Sequence, residues 1–313
     1  MSFALVCASH TPLLLDEDYA TAEICGSVRN SFSRLAEFVN DFKPDQIIQF
    51  SPDHFHGFHY DNMPSFCVGA AAKSYGDWKT SSGPLQVDEA YALAVHHAAR
   101  AADIDVSVSY DMTVDHGFVQ IWEAMFGRFD HIPIVPVFIN CIASPLPSYR
   151  RARLLGEAVG RFAAESGKHV LFASSGGLSH DPVIPQIKGA SPEVRQRLLG
   201  ALVLPEQQAR REAQVRAAAR EAMQGGGPSR PLNPAWDGAF LELLARRDWD
   251  QMDNFTPTSV DAAAGAGGNE VLCWIAAGAA MAAAAGGYHV VQQDYLPVDG
   301  WIAGMAHFAA RAQ

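Results

Sequence analysis

The chain is short of basic charge and of paired cysteine, and both shortages narrow its function. Its 313 residues carry 23 lysines and arginines against 34 acidic residues, a formal net charge of -11, with no basic stripe or block. A surface of that sign repels phosphate, so no nucleic acid and no membrane surface is expected as a partner, and a small molecule fits better. The five cysteines, Cys7, Cys25, Cys67, Cys141 and Cys273, are isolated, odd in number and set among apolar residues. Without a Cys-x-x-Cys pair they make neither a zinc knuckle nor a disulfide frame, and read as buried free thiols. The first residues show no basic leader followed by an apolar stretch, which sets the expectation of a cytoplasmic protein. The most apolar stretch, Glu270 to Ala285, falls short of the roughly 20 residues a bilayer requires and reads as a buried helix.

What is present is an alternation of short apolar runs with longer segments of helical period. That pattern predicts an α/β fold: one large domain over residues 1–313, with a central, mostly parallel or mixed sheet covered by helices on both faces. Strands are expected at Phe3 to Ala8, Gln46 to Phe50, Pro64 to Ala71, Ile104 to Tyr110, Ile132 to Ile139 and His169 to Ser174. Ile24, Val28, Phe32, Leu35, Val39 and Phe42 recur at spacings of three and four and predict a helix that Pro44 ends. Further helices are expected over Val87 to Asp103 and Pro147 to Glu165. After residue 190 the composition shifts toward Glu, Arg, Gln and Ala, so residues of about 191–230 read as a helical insertion exposed on one side. The glycines and prolines of 225–234 make a loop, and helices resume at Trp236.

Histidine-bearing turns supply the candidate chemistry. Ser51-Pro-Asp-His-Phe-His-Gly-Phe-His59 places three histidines and an aspartate after an apolar run, and His10, His116 and His180 lie in similar settings. Strand ends are where an α/β protein keeps its chemistry. A divalent iron that must bind both a substrate and dioxygen requires few protein ligands, and two histidines with one carboxylate leave positions open. His10, His54 and Glu270 can form that set, since Glu270 opens an apolar segment where a charge demands compensation. Each has an ordinary alternative. A lone histidine beside a strand is more often a core or surface residue. Glu270 suits a helix N-terminus, and Asp53, Asp115 and Asp181 suit turns. His56 and His59 read as solvent-facing or as supports for their neighbours.

The motifs taken together resemble the class III (LigB-type) extradiol ring-cleavage dioxygenases, most closely the branch that acts on 2,3-dihydroxyphenylpropionate. The resemblance runs nearly end to end. It is carried by Ser9-His-Thr-Pro-Leu13, Pro52-Asp-His54, Met63-Pro-Ser-Phe-Cys67, Val114-Asp-His-Gly-Phe118 and Ile134-Val-Pro-Val-Phe-Ile-Asn140. Gly176-Gly-Leu-Ser-His180, Pro231-Leu-Asn-Pro-Ala-Trp-Asp237 and Trp301-Ile-Ala-Gly304 complete it. It implies Fe(II) held by His10, His54 and Glu270, with Glu242 as the competing carboxylate and His56 the competing histidine. It further implies His116 as acid and His180 as base, a catecholic substrate with O2, and a homo-oligomer.

Around those residues, Asp53 and Asp115 are the expected supports, with Asp115 holding His116 protonated. Gly177 would let the backbone approach a ligand, and Pro182 would stiffen the loop after His180. Arg150, Lys188, Arg195 and Arg230 are the candidate cations for the substrate's carboxylate. Two other classes remain in view: a metal-dependent hydrolase using the same residues to activate water, and a non-enzymatic relative of the same fold.

Overall fold

The computed structural model describes residues 2–313. In chain order the first elements are β1 (Phe3–Ala8), α1 (Ala22–Phe42), β2 (Gln46–Ser51), β3 (Phe66–Gly69), β4 (Ala72–Ser74), β5 (Gly83–Pro84), α2 (Glu89–Ala101) and β6 (Ser107–Ser109). Next come β7 (Met112–Val114), α3 (His116–Phe126), β8 (Ile134–Ile139), α4 (Tyr149–Glu165), β9 (Val170–Ser175), α5 (Pro192–Leu198) and α6 (Pro205–Ala222). The chain ends with α7 (Pro234–Arg246), α8 (Trp249–Asp253), α9 (Pro257–Ala264), a 3-10 turn at Ala266–Glu270, α10 (Val271–Ala285), β10 (Tyr288–Val298) and β11 (Ala303–Ala312).

Eight strands form one sheet in the order β10-β11-β1-β9-β2-β8-β3-β6. Its centre, β1, β9, β2 and β8, is parallel and buried along its whole length, so helices must cover both faces. Side chains of β1 divide by parity: Leu5 and Cys7 join a core with Tyr149, Leu155 and Trp274 of α4 and α10, while Val6 and Ala8 join a core with Phe32 of α1 and Trp122 of α3. Mixed pairing enters at the edges, where β3 runs antiparallel to β8 and the β10–β11 hairpin antiparallel to β1. A three-stranded sheet, β5-β4-β7, stands apart and leads into α3.

Three expectations change. Residues 303–312, rich in alanine and without a strand pattern, form β11 because the open edge of β1 supplies a full ladder of backbone partners. The strand expected over 104–110 shrinks to three residues. The apolar helix is longer than the sequence suggested: with its 3-10 turn it runs Ala266–Ala285, 20 residues, long and apolar enough to cross a bilayer, yet 78% of that window is buried inside the protein. It is the core helix of one face. The helical insertion is formed by α5 and α6, each begun by a proline in its first turn.

Helix α10 lies against α4 at glycine contacts. A Cβ on Gly156 would come within 2.0 Å of the Ala276 carbonyl oxygen, and one on Gly160 within 2.1 Å of that of Ala280. Backbone cannot yield as a side chain can, so Gly156→Ala should destabilise the fold by about 1–3 kcal/mol in urea unfolding. An unchanged midpoint would show that the two helices separate freely.

His307 of β11 sits edge-on to Phe32, with ring centroids 4.5 Å apart, and burial lowers its pKa from 6.5 to about 4. The ring stays neutral in the fold where the unfolded chain takes up a proton. The stability it contributes is therefore complete above the unfolded value and is lost as pH falls toward the folded one, by about 1.4 kcal/mol per pH unit. Between pH 6.5 and 4, His307→Gln should flatten the dependence of unfolding free energy on pH by that slope, and urea titrations across the range test it.

Candidate active site

The order β1-β9-β2 sets three carboxyl ends side by side, and the loops that leave them carry His10, His180 and His54. His116 opens α3, and Glu270 ends the 3-10 turn ahead of α10. Glu270 Oε1 lies 3.3 Å from His54 Nε2 and 3.5 Å from His180 Nε2, and its Oε2 lies 3.8 Å from His10 Nε2. The Gly177 backbone N–H donates to Oε2 at 2.7 Å. With its side chain 1% exposed, the carboxylate would be costly without these partners. Burial pushes its pKa up, but His180 and His10 outweigh that and hold it well below the usual carboxylate range.

Each histidine is oriented through its other ring nitrogen. His10 Nδ1 is 2.7 Å from Ser175 Oγ, His54 Nδ1 is 3.0 Å from Asp115 Oδ2, His116 Nδ1 is 2.5 Å from Asp77 Oδ2, and His180 Nδ1 is 2.8 Å from the Leu178 carbonyl oxygen. The Nε2 atoms are thereby turned inward. His116 Nε2 is buried with no hydrogen-bond partner at all. Burial lowers the pKa of His10 to about 3, so its imidazole is neutral and able to donate a lone pair. At His54 burial also opposes charge, but Asp115 and Glu270 raise its pKa well above the ordinary value.

Glycines let these groups meet. A Cβ on Gly267 would fall 2.1 Å from His180 Nε2, and one on Gly117 would fall 2.8 Å from the His54 ring. Gly177 passes close under the His180 ring in the same way.

Ligating atoms of His10, His54 and His116 lie within 4.8 Å of one another, and Glu270 faces the first two. The sites Asp53/His56/Asp115 and Asp77/Asp115/His116 are equally close, but their carboxylates are already used. Asp53 accepts from the backbone N–H groups of His56, Gly57 and Phe58, and Asp115 from those of His54 and Gly117. Asp77 accepts from the His116 N–H. The group around Glu270 differs in that the Nε2 atoms of His10, His54 and His180 all face one carboxylate. An imidazole pair with a carboxylate, each oriented by an outer partner, suits a divalent metal ion.

The structure brings His10, His54, His116, His180, Glu270 and Gly177 together and sets Asp53 and Asp115 behind them. Asp115 is within charge reach of His116, as expected, but makes no hydrogen bond to its ring. As the N-cap of α3 it turns over the first turn to the Gly117 N–H, and its other oxygen serves His54 and His56. Asp77, in the loop after β4, makes that bond. His56 is not solvent-facing, since its side chain is 6% exposed and rests on Asp115. His59 lies away from the cluster, beside Gly200. Glu242 and Pro182 are exposed and take no part.

Several supporting residues had no signal in sequence. Asp77 and Ser175 orient imidazoles but belong to no histidine motif. Asp237 accepts from the Ser179 N–H and Oγ and from the Tyr295 hydroxyl, at 2.6 to 2.7 Å, and so fixes the loop that carries His180. Its place in the Pro231–Asp237 motif was the one available hint.

The family described as the catalytic LigB subunit of aromatic ring-opening dioxygenase matches residues 4–306. A 2,3-dihydroxyphenylpropionate/2,3-dihydroxicinnamic acid 1,2-dioxygenase of Burkholderia vietnamiensis is 45% identical over 312 residues, covering 99% of this chain and 98% of the relative. One from a Rhodococcus species is 45% identical over 305 residues, covering 97% and 96%. Among solved structures, an uncharacterized protein from Escherichia coli K12 superimposes with a TM-score of 0.50 at 16% identity over 98% of both chains, a likeness of fold. Matched across nearly its whole length by family and relatives alike, the chain belongs to the LigB family of aromatic ring-opening dioxygenases.

Proposed function

We propose that the protein is an Fe(II)-dependent extradiol dioxygenase that opens the ring of 2,3-dihydroxyphenylpropionate, incorporating both atoms of O2 to give a 2-hydroxy-6-oxo-dienoate. The substrate reading is supported by the relatives at 45% identity, which are 2,3-dihydroxyphenylpropionate/2,3-dihydroxicinnamic acid 1,2-dioxygenases. The observation that carries the metal reading is the convergence of His10, His54 and Glu270, with both ring Nδ1 atoms tied outward. Ferrous iron there would supply a meeting point for diol and dioxygen and a path for electrons between them.

The flanking histidines handle protons, and their backing differs. His180 Nδ1 faces a neutral carbonyl, which holds Nε2 as a lone-pair acceptor suited to take a proton from the catechol hydroxyl. Burial opposes charge on His180 while Glu270 favours it, with a raised pKa as the balance. With Glu270 committed to a metal ion, that pull would fall away and His180 would be free to act as a neutral base. His116 is backed by the Asp77 carboxylate, which stabilises imidazolium, so its Nε2 is suited to give a proton to the oxygen that leaves on cleavage. Side-chain exposures of 24% at His54 and 14% at His180, against 2% at His10 and His116, put the mouth of the site on the His54 side.

An assembly of identical subunits is the accompanying proposal. Val183, Leu199, Leu202, Leu204 and Met223, exposed large apolar residues on and beside the insertion, support it as the subunit contact.

Two results follow. Anaerobically reconstituted protein should consume oxygen with 2,3-dihydroxyphenylpropionate and form a yellow ring-fission product, while Glu270→Gln should lose most bound iron by metal analysis. Iron retained at full stoichiometry would remove Glu270 from the ligand set. Asp77→Asn should lower kcat roughly tenfold or more with KM little changed. An unchanged kcat would mean that Asp77 does not hold the His116 ring in its working orientation.

A further inference from the structure

We propose that Arg197 and Arg211, on the inner side of the helical insertion, form the subsite that receives the carboxylate of the substrate's side chain. The inference rests on the ring-cleavage reading and deepens it.

The cations expected from sequence are committed elsewhere or face outward. Arg230 is held by Asp181 and Asp261, Arg195 donates to the Ile187 carbonyl, and Arg150 and Lys188 are exposed. Arg197 and Arg211 differ from them. Among the described residues neither side chain takes part in an ion pair or a hydrogen bond, whereas Arg34, Arg153 and Arg216 each have a carboxylate. Arg197 Nε is buried and unpartnered. Glu193 on the same helix is within charge reach of Arg197, and Asp77 and Asp115, already committed to histidines, are within reach of Arg211, but two half-buried arginines without a contact ion pair are a costly arrangement unless an anion joins them.

Both side chains are placed by packing. Leu198, next to Arg197, is fully buried against Phe55 and Ala143, and its carbonyl accepts from the Tyr60 N–H at 2.7 Å. That contact seats α5 on the loop that follows His54. On α6, Arg211 lies on the same stripe as Val215 and Ala219, which pack into the core. Its guanidinium is within electrostatic reach of Arg197, Tyr75, Asp77 and Asp115. Burial first, and the charge of Arg197 after it, draw the Arg211 pKa below its ordinary value. Tyr75 in turn rests on the His56 ring, with centroids 4.6 Å apart. The two arginines therefore stand on the open, His54 side of the cluster, where a tail next to the diol would emerge.

Guanidinium groups suit a carboxylate, since they donate two parallel N–H groups and stay charged. Losing such a charge-assisted contact costs about 1.5–3 kcal/mol, or roughly 10- to 150-fold. Arg211→Met and Arg197→Met should each lower kcat/KM for 2,3-dihydroxyphenylpropionate by about that factor, mainly through KM. Their kcat/KM for uncharged 3-propylcatechol should move less than about twofold, and Arg211→Lys should restore part of the loss. The same variants should weaken competitive inhibition by 3-phenylpropionate, which carries the carboxylate without the diol. Arg210→Met, on the exposed side of α6, is the control.

Equal losses on both catechols, or no loss on either, would overturn the subsite, as would a wild-type protein that handles the two catechols alike. A wild-type protein that opens neither ring sinks the ring-cleavage reading itself and the subsite with it. Thermal unfolding midpoints of the variants separate loss of fold from loss of recognition.

Discussion

A carboxylate buried at the foot of an apolar helix is the constraint that organises this protein. Glu270 is 1% exposed and opens α10, whose buried residues are almost all aliphatic or small. A charge in that position needs partners from outside its own element, because a helix start supplies only backbone N–H groups. The partners come from the carboxyl ends of β1, β2 and β9, three strands neighbouring in space but far apart in the chain. The parallel centre of the sheet is thus more than a scaffold. Its strand order is what lets residues 10, 54, 180 and 270 share a space a few ångströms across, and the glycines at 117, 177 and 267 clear the room.

A second ring of acids fixes what the first ring can do. Asp53, Asp77 and Asp115 bind backbone N–H groups and imidazole nitrogens. Because their oxygens are spent in this way, they orient histidines and do not compete for a metal. Burial and the neighbouring charge of Asp115 push the Asp53 pKa up to about 6, whereas Asp115, despite its burial, is held well below the usual range by His54 and His116. Crowding of acids therefore falls unevenly, and the group that touches two histidines keeps the charge.

Legibility in the sequence followed the range of the interactions. The parallel strands and amphipathic helices were readable because their periodicity is local, as in β1, α1 and α4. Strand β11 was not, because its alanines form a strand only against the edge of β1. The site shows the same division. His10, His54, His116 and His180 sit in recognisable turns, and Glu270 drew attention as a charge opening an apolar run. Their supports, Asp77, Ser175 and Asp237, lie 39, 165 and 58 positions from the groups they hold, and no local pattern marks such pairs. That Asp115 supports His116 by charge and not by a hydrogen bond has a geometric cause, since an N-cap side chain folds over its own helix and turns away from the ring of the next residue.

Chemistry and recognition are also separated by where they lie in the fold. Ring opening would demand rigid placement, and every group assigned to it stands in a loop at the carboxyl end of a central strand, on the N-terminus of α3 or just ahead of α10, on elements that pack into the two cores. Recognition of a side chain two methylenes away from the ring demands only a cation at the mouth. The insertion meets that demand without disturbing the core: α6 is polar over most of its surface and buries only Ala219, and α5 buries only Leu198. A helix pair held by so few apolar contacts can change its inward-facing residues at little cost to stability. Substrate range should therefore vary through residues such as Arg197 and Arg211, while the histidines and Glu270, locked by the sheet, keep the reaction the same.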